Sequence, residues 1–148
     1  LQVELNVIGT PCGGCQFHEF PYVAQPPIRV DGKLHQKTFH TMEDVWDVVD
    51  LLIQEIKDNN MIEGNEFDIA ESINSQLPFF TCRNHFLTPE IQRDIQRYVY
   101  CKDLGTNAYK GSYGEQPALW VDKYFIIKKA FAHTERKQIA QSKERKNK

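Results

Sequence analysis

Most of the features that name a function outright are missing from this chain. No apolar run approaches the roughly 18 residues of a membrane-spanning helix, and no secretory-leader pattern opens it. It has no P-loop, no dinucleotide-binding glycine fingerprint and no Gly-x-Ser-x-Gly elbow, which removes the common nucleotide and acyl-transfer machineries. Gly111-Ser112-Tyr113-Gly114 has glycines at a suggestive spacing but lacks the lysine that would follow in a phosphate loop, so it reads as a turn. There is no internal repeat and no linker between two bodies. Cysteine is scarce, with four in 148 residues, too few and too unevenly spaced for a secreted disulfide scaffold. An intracellular, reducing compartment and thiolate ligation are the expectation.

What remains is enough for one folded domain. Hydrophobic residues make up 41% and aromatics 11%, well above the composition of a disordered chain. The net charge of −2 conceals an asymmetry. Residues 117–148 hold nine Lys/Arg against three Asp/Glu, a local charge of +6, which leaves −8 on the first 116. An acidic body with a basic tail points to nucleic acid, an acidic protein surface or an anionic membrane as the partner.

The cysteines carry the most specific signal. Cys12-Gly13-Gly14-Cys15 and the distant Cys82-Arg83-Asn84-His85 combine as C-x2-C…C-x2-H, the spacing of a tetrahedral metal site that draws two segments onto one ion. Gly13 and Gly14 suit a tight knuckle. Cys82 is the natural third ligand. The fourth is open between His85, in the non-helical stretch 81–87, and Cys101, beside the apolar face of a helix. The set favours structural zinc, and a four-cysteine version would also admit an iron–sulfur cluster. His18 and Glu19 follow Cys15 closely, which keeps a small metal-dependent hydrolase as an alternative. The deaminase pattern is absent, because no His-x-Glu precedes Pro11-Cys12-Gly13-Gly14-Cys15.

Local patterns predict an α+β fold. Leu1, Val3, Leu5 and Val7 alternate with polar residues as in a strand, Gly9-Thr10-Pro11 breaks it, and Gln16–Phe20 offers a second. Ile28–Val30 and Lys33–His40 flank Asp31-Gly32, a two-residue hairpin signal. Together these predict a small antiparallel sheet of three or four strands carrying the metal knuckle. Three or four helices pack on it. One runs from a Thr41/Asp44 cap to about Asp58, with Val45, Val48, Val49, Leu52, Ile53 and Ile56 on one face. Another covers Glu66–Gln76, with Phe67, Ala70 and Ile73 inward. A third starts at Thr88-Pro89, buries Ile91, Ile95, Tyr98 and Val99, and stops at Gly105. A last helix begins at Pro117 with Trp120, Tyr124, Ile127 and Phe131 on its face.

Beyond His133 the apolar face fades, which divides the chain into a 1–132 domain and a 133–148 basic tail, frayed or ordered by a partner. Lys128, Lys129, Arg136, Lys137, Lys143, Arg145 and Lys146 form the contact candidates, with 129, 136 and 143 seven residues apart on one side. That stripe suits phosphates, an acidic partner helix, or the acidic body of a second copy.

A helix, the Gly111–Gly114 loop, the Trp-bearing helix from Pro117 and a charged tail together resemble small uncharacterised proteins of tailed bacteriophages. The resemblance covers about the last 60 residues. It implies a role in a virion or its assembly and carries over no site residues.

Overall fold

The computed structural model describes residues 1–8, 12–64 and 66–146, with the Lys146 side chain excepted. The Gly9-Thr10-Pro11 break and the last two tail residues lie outside them. The fold is α+β. The chain forms two compact units, one of residues 9–87 with Leu1, the other of Gln2–Ile8 with residues 88–148.

The Asp31-Gly32 pair behaves as its chemistry dictates in the first unit. Both residues take positive φ (49° and 75°), the twist that joins strands by a two-residue turn. Strands β2 (Arg29–Val30) and β3 (Lys33–Leu34) flank it. A second antiparallel pair joins β1 (Tyr22–Ala24) to β4 (Lys37–Phe39), with Tyr22 opposite Phe39. The expected single sheet is therefore two separate two-stranded pairs, and Gln16–Phe20 is not a strand.

Helix α2 (Met42–Glu63) follows. Asp44 Oδ2 accepts the backbone N–H groups of His40 (2.8 Å) and Thr41 (3.2 Å), closing the predicted cap. The helix runs five residues past the predicted end, and Val45, Val48, Val49, Leu52 and Ile56 are buried as its periodicity requires. Helix α3 (Ile69–Gln76) starts later than expected. The Asn60 side chain pairs with both backbone polar groups of Phe67 at 3.0 Å, and Asp68 caps the helix by accepting from the Glu71 N–H at 2.7 Å. Phe67 is thereby held out of the helix and largely exposed, not buried.

The first unit's interior is aromatic. Tyr22 stacks on Phe20 (5.2 Å) and Phe39 (5.3 Å), and Phe39 on Phe80 (6.1 Å). The Tyr22 hydroxyl lies 3.2 Å from Thr81 Oγ1, partnering two otherwise buried polar groups. This series of rings fastens residues 17–24 to residues 80–86.

In the second unit the predicted first strand is a helix, α1 (Gln2–Ile8). Seven residues of alternating pattern do not distinguish the two states, and here the tertiary environment decides. Leu5 is fully buried, Val3 packs on the core, and α1 docks on α4 (Pro89–Leu104) and α5 (Ala118–Lys146). The Gln92 amide donates to Asn6 Oδ1 at 2.8 Å. Thr88 Oγ1 caps α4 and Gly105 ends it, as expected, although Val99 is 37% exposed. The core is Tyr98, Cys101, Trp120 and Ile127, with Tyr124 and Phe131 against it, the α5 face that the sequence predicts. That helix continues unbroken through the predicted tail to Lys146. No helix of the described residues is long and apolar enough to cross a membrane.

Candidate metal centre

The knuckle is an irregular loop in which Gly14 takes a φ of 135°, a conformation open to glycine. The loop turns tightly enough for the Gly14 N–H to lie 3.4 Å from Cys12 Sγ, while the Cys15 N–H donates to His18 Nε2 at 3.1 Å. His18 thus folds back under the knuckle. Its Nδ1 lies 3.5 Å from Cys82 Sγ and its Nε2 4.0 Å from Cys12 Sγ.

Cys12, Cys15, His18 and Cys82 form one cluster whose donor atoms all lie within 4.8 Å of one another. Bonds of about 2.3 Å to sulfur and 2.0 Å to nitrogen at tetrahedral angles would put donors roughly 3.5–3.8 Å apart. The observed set meets that geometry with a contraction of about 1 Å at most. All four cysteines are free thiols. The cluster can therefore hold a metal ion.

Burial sets the protonation of Cys82. Cys82 is 1% exposed, and burial pushes its thiol up to about 12. A neutral thiol suits that environment, and a thiolate needs a positive charge beside it. The Cys12 thiol is lowered, chiefly by the hydrogen bond from the Gly14 N–H. A bound ion would supply that charge and displace the thiol protons.

Three of the residues expected from sequence, Cys12, Cys15 and Cys82, come together here. The two candidates for the fourth position do not join them. The short 3-10 helix Arg83–Phe86 directs His85 at the knuckle, but onto its backbone: Nε2 donates to the Phe17 carbonyl at 2.8 Å, and the ring lies 4.9 Å from Phe20. Cys101 belongs to the core of the second unit. His18 holds the place instead. The signal was in the chain, since Cys12, Cys15 and His18 repeat at intervals of three, but the histidine reads equally well as a base beside an ion.

Residues around the cluster fix its backbone. Asn84 Oδ1 accepts the Cys12 N–H at 2.8 Å, while Cys82 and His85 hold His18 and Phe17 just beyond the knuckle, so one short segment grips residues 12–18 at three points. One side opens into a cleft of about 290 Å³ whose lining includes the three cysteines and Arg83.

The basic candidates lie on α5. Lys128, Lys129, Arg136, Lys143 and Arg145 are exposed, Lys137 is half-buried, and the Lys146 side chain lies outside the described residues. By sequence the second unit carries thirteen Lys/Arg against eight Asp/Glu, a net +5, and the first five against twelve, a net −7. No family model, curated protein or solved structure matches this chain.

Proposed function

We propose that the chain is a non-enzymatic, zinc-stabilised binding or assembly module. Its metal is a structural staple, and its contact surface is the basic face of α5. The observation that carries the reading is the four-donor cluster of Cys12, Cys15, His18 and Cys82. Three sulfurs and one imidazole suit zinc, and they fill a tetrahedral shell without leaving a corner for substrate water. That weighs against the hydrolase alternative, in which His18 serves as a base beside an open position. It also weighs against an iron–sulfur cluster, which normally takes four thiolates.

The separation of charge favours an anionic partner for α5, and the tailed-phage resemblance of residues 88–148 would place that partner in a virion assembly. Metal analysis of the purified protein tests the reading. Zinc near one per chain is expected, lost in Cys12→Ser, Cys82→Ser and His18→Ala, and retained in His85→Ala and Cys101→Ser. Metal-free protein that folds as well as the metal-loaded form would overturn it.

A further inference from the structure

A second candidate site lies wholly in the second unit, where α4, the 105–117 connection and the first turns of α5 enclose a pocket of about 160 Å³. Its deep side includes Cys101 and Trp120, 7% and 6% exposed, and its outer side Tyr113 and Phe125, 72% and 52% exposed. The exposed Tyr113 and Phe125 rings offer a planar ligand surfaces to stack on, while Trp120 is enclosed, with the Arg97 guanidinium 5.4 Å from its ring centre. A cavity of about 150 Å³ holds one benzene ring, so the volume of this pocket matches a single planar ring.

The connection that forms the pocket is held rigid. The Gln116 amide donates to the carbonyls of Tyr109, Gly111 and Ser112 at 3.0–3.3 Å and accepts the Tyr109 N–H at 3.2 Å. Glu115 accepts the Ser112 N–H at 2.7 Å. Gly111 has a φ of 103°, and a Cβ there would meet Glu115 Cβ at 2.9 Å, so only glycine lets the loop close. A short 3-10 helix, Tyr113–Glu115, closed by the Ser112/Glu115 cap, sits inside the connection and presents Tyr113 at the pocket. Asn107 spends one amide hydrogen on the Gly111 carbonyl at 2.7 Å. Its side-chain carbonyl and the Thr106 hydroxyl, also in the lining, stand outside that network and suit the polar edge of a ring.

Cationic groups follow directly along α5. The Lys128 ammonium lies 6.0 Å from the centre of the Phe125 ring, and exposed Lys129, Arg136 and Lys143 continue at seven-residue intervals. Stacking faces joined to a line of cations is the chemistry that binds single-stranded nucleic acid.

We propose that this pocket takes one unstacked pyrimidine base of a single-stranded nucleic acid, with the neighbouring phosphates along the basic face of α5. The proposal rests on the reading of that face as the contact surface and not on the metal.

Binding of labelled oligothymidylate, oligodeoxyadenylate and an abasic oligomer of equal length to the zinc-loaded full chain tests it. Stacking of one base predicts that oligothymidylate binds about 5- to 150-fold more tightly than the abasic strand. Tyr113→Ala and Phe125→Ala, both at exposed positions, should abolish that difference while leaving abasic affinity and its salt dependence unchanged. Lys129→Ala with Arg136→Ala should flatten the salt dependence and leave the base preference intact. Equal affinity for base-bearing and abasic strands overturns the pocket but leaves the basic face standing. An oligodeoxyadenylate preference overturns the single-ring assignment, and thymidine monophosphate binding as tightly as the oligomer overturns the strand. Absence of binding to any strand, with capture of an acidic protein instead, overturns both the pocket and the nucleic-acid partner.

Discussion

The His85 Nε2 donates a hydrogen bond to the Phe17 carbonyl at 2.8 Å, between two residues that are 68 positions apart. Phe17 directly precedes His18, and His85 lies three residues after Cys82. The bond thus ties together the two segments that supply the Cys12, Cys15, His18 and Cys82 cluster, without His85 being a member of it.

That relationship separates positioning from ligation. His85→Ala should keep full metal stoichiometry while lowering zinc affinity by less than the roughly 10- to 100-fold that follows loss of a group hydrogen-bonded directly to a ligand, because His85 bonds the Phe17 carbonyl. Competition against a chelating dye reads the affinity. Loss of stoichiometry would make His85 a ligand after all.

Chelation should loosen the unit that holds the site. Trp46 lies edge-on to Phe86 at 5.2 Å in that unit, whereas Trp120 is buried in the core of the other. With Trp120→Phe, leaving Trp46 as the only tryptophan, chelator should shift the fluorescence, and zinc should restore it. With Trp46→Phe the Trp120 signal should stay constant.

The pH dependence follows from Cys82. Its folded pKa is raised from 9.0 to about 12, so above pH 9 the unfolded metal-free chain gives up a proton that the folded one keeps. Folding stability of the metal-free protein should therefore fall as pH rises from about 9 toward 12. Zinc reverses the trend at lower pH, because the ion displaces thiol protons and binds more weakly as the solution is acidified. Urea titrations with and without zinc across the pH range check both signs.

Asp44 gives the opposite case. Its carboxyl is held below the ordinary range, first by the His40 N–H, then by the Thr41 N–H and Lys37. The stabilisation is present above the unfolded carboxyl value and is lost as pH falls through the folded one. Asp44→Asn should lower the melting temperature at pH 7 and by less at pH 2. Thermal melts of the two proteins at both pH values decide it.

Local chemistry made α2, α4 and α5 legible, since caps at Thr41/Asp44 and Thr88 and unbroken apolar periods leave little choice. The Asp31-Gly32 hairpin was equally readable. The α1 segment was not, because seven residues fit a strand or a helix until Leu5 has a core to enter. The pairing of Tyr22 with Phe39 joins strands whose closing partners are aromatic rings elsewhere, information that no local window contains. At the site, cysteine spacing gave three donors. The choice among His18, His85 and Cys101 depended on a loop turning back at Gly14 and a helical turn aiming His85 at a carbonyl, both tertiary outcomes.

X-ray absorption at the zinc edge tests the metal centre most directly. The account predicts three sulfurs at about 2.3 Å and one nitrogen at about 2.0 Å. The nitrogen should be lost in His18→Ala and unaffected in His85→Ala. Four sulfurs, or a shell dominated by oxygen, would contradict it.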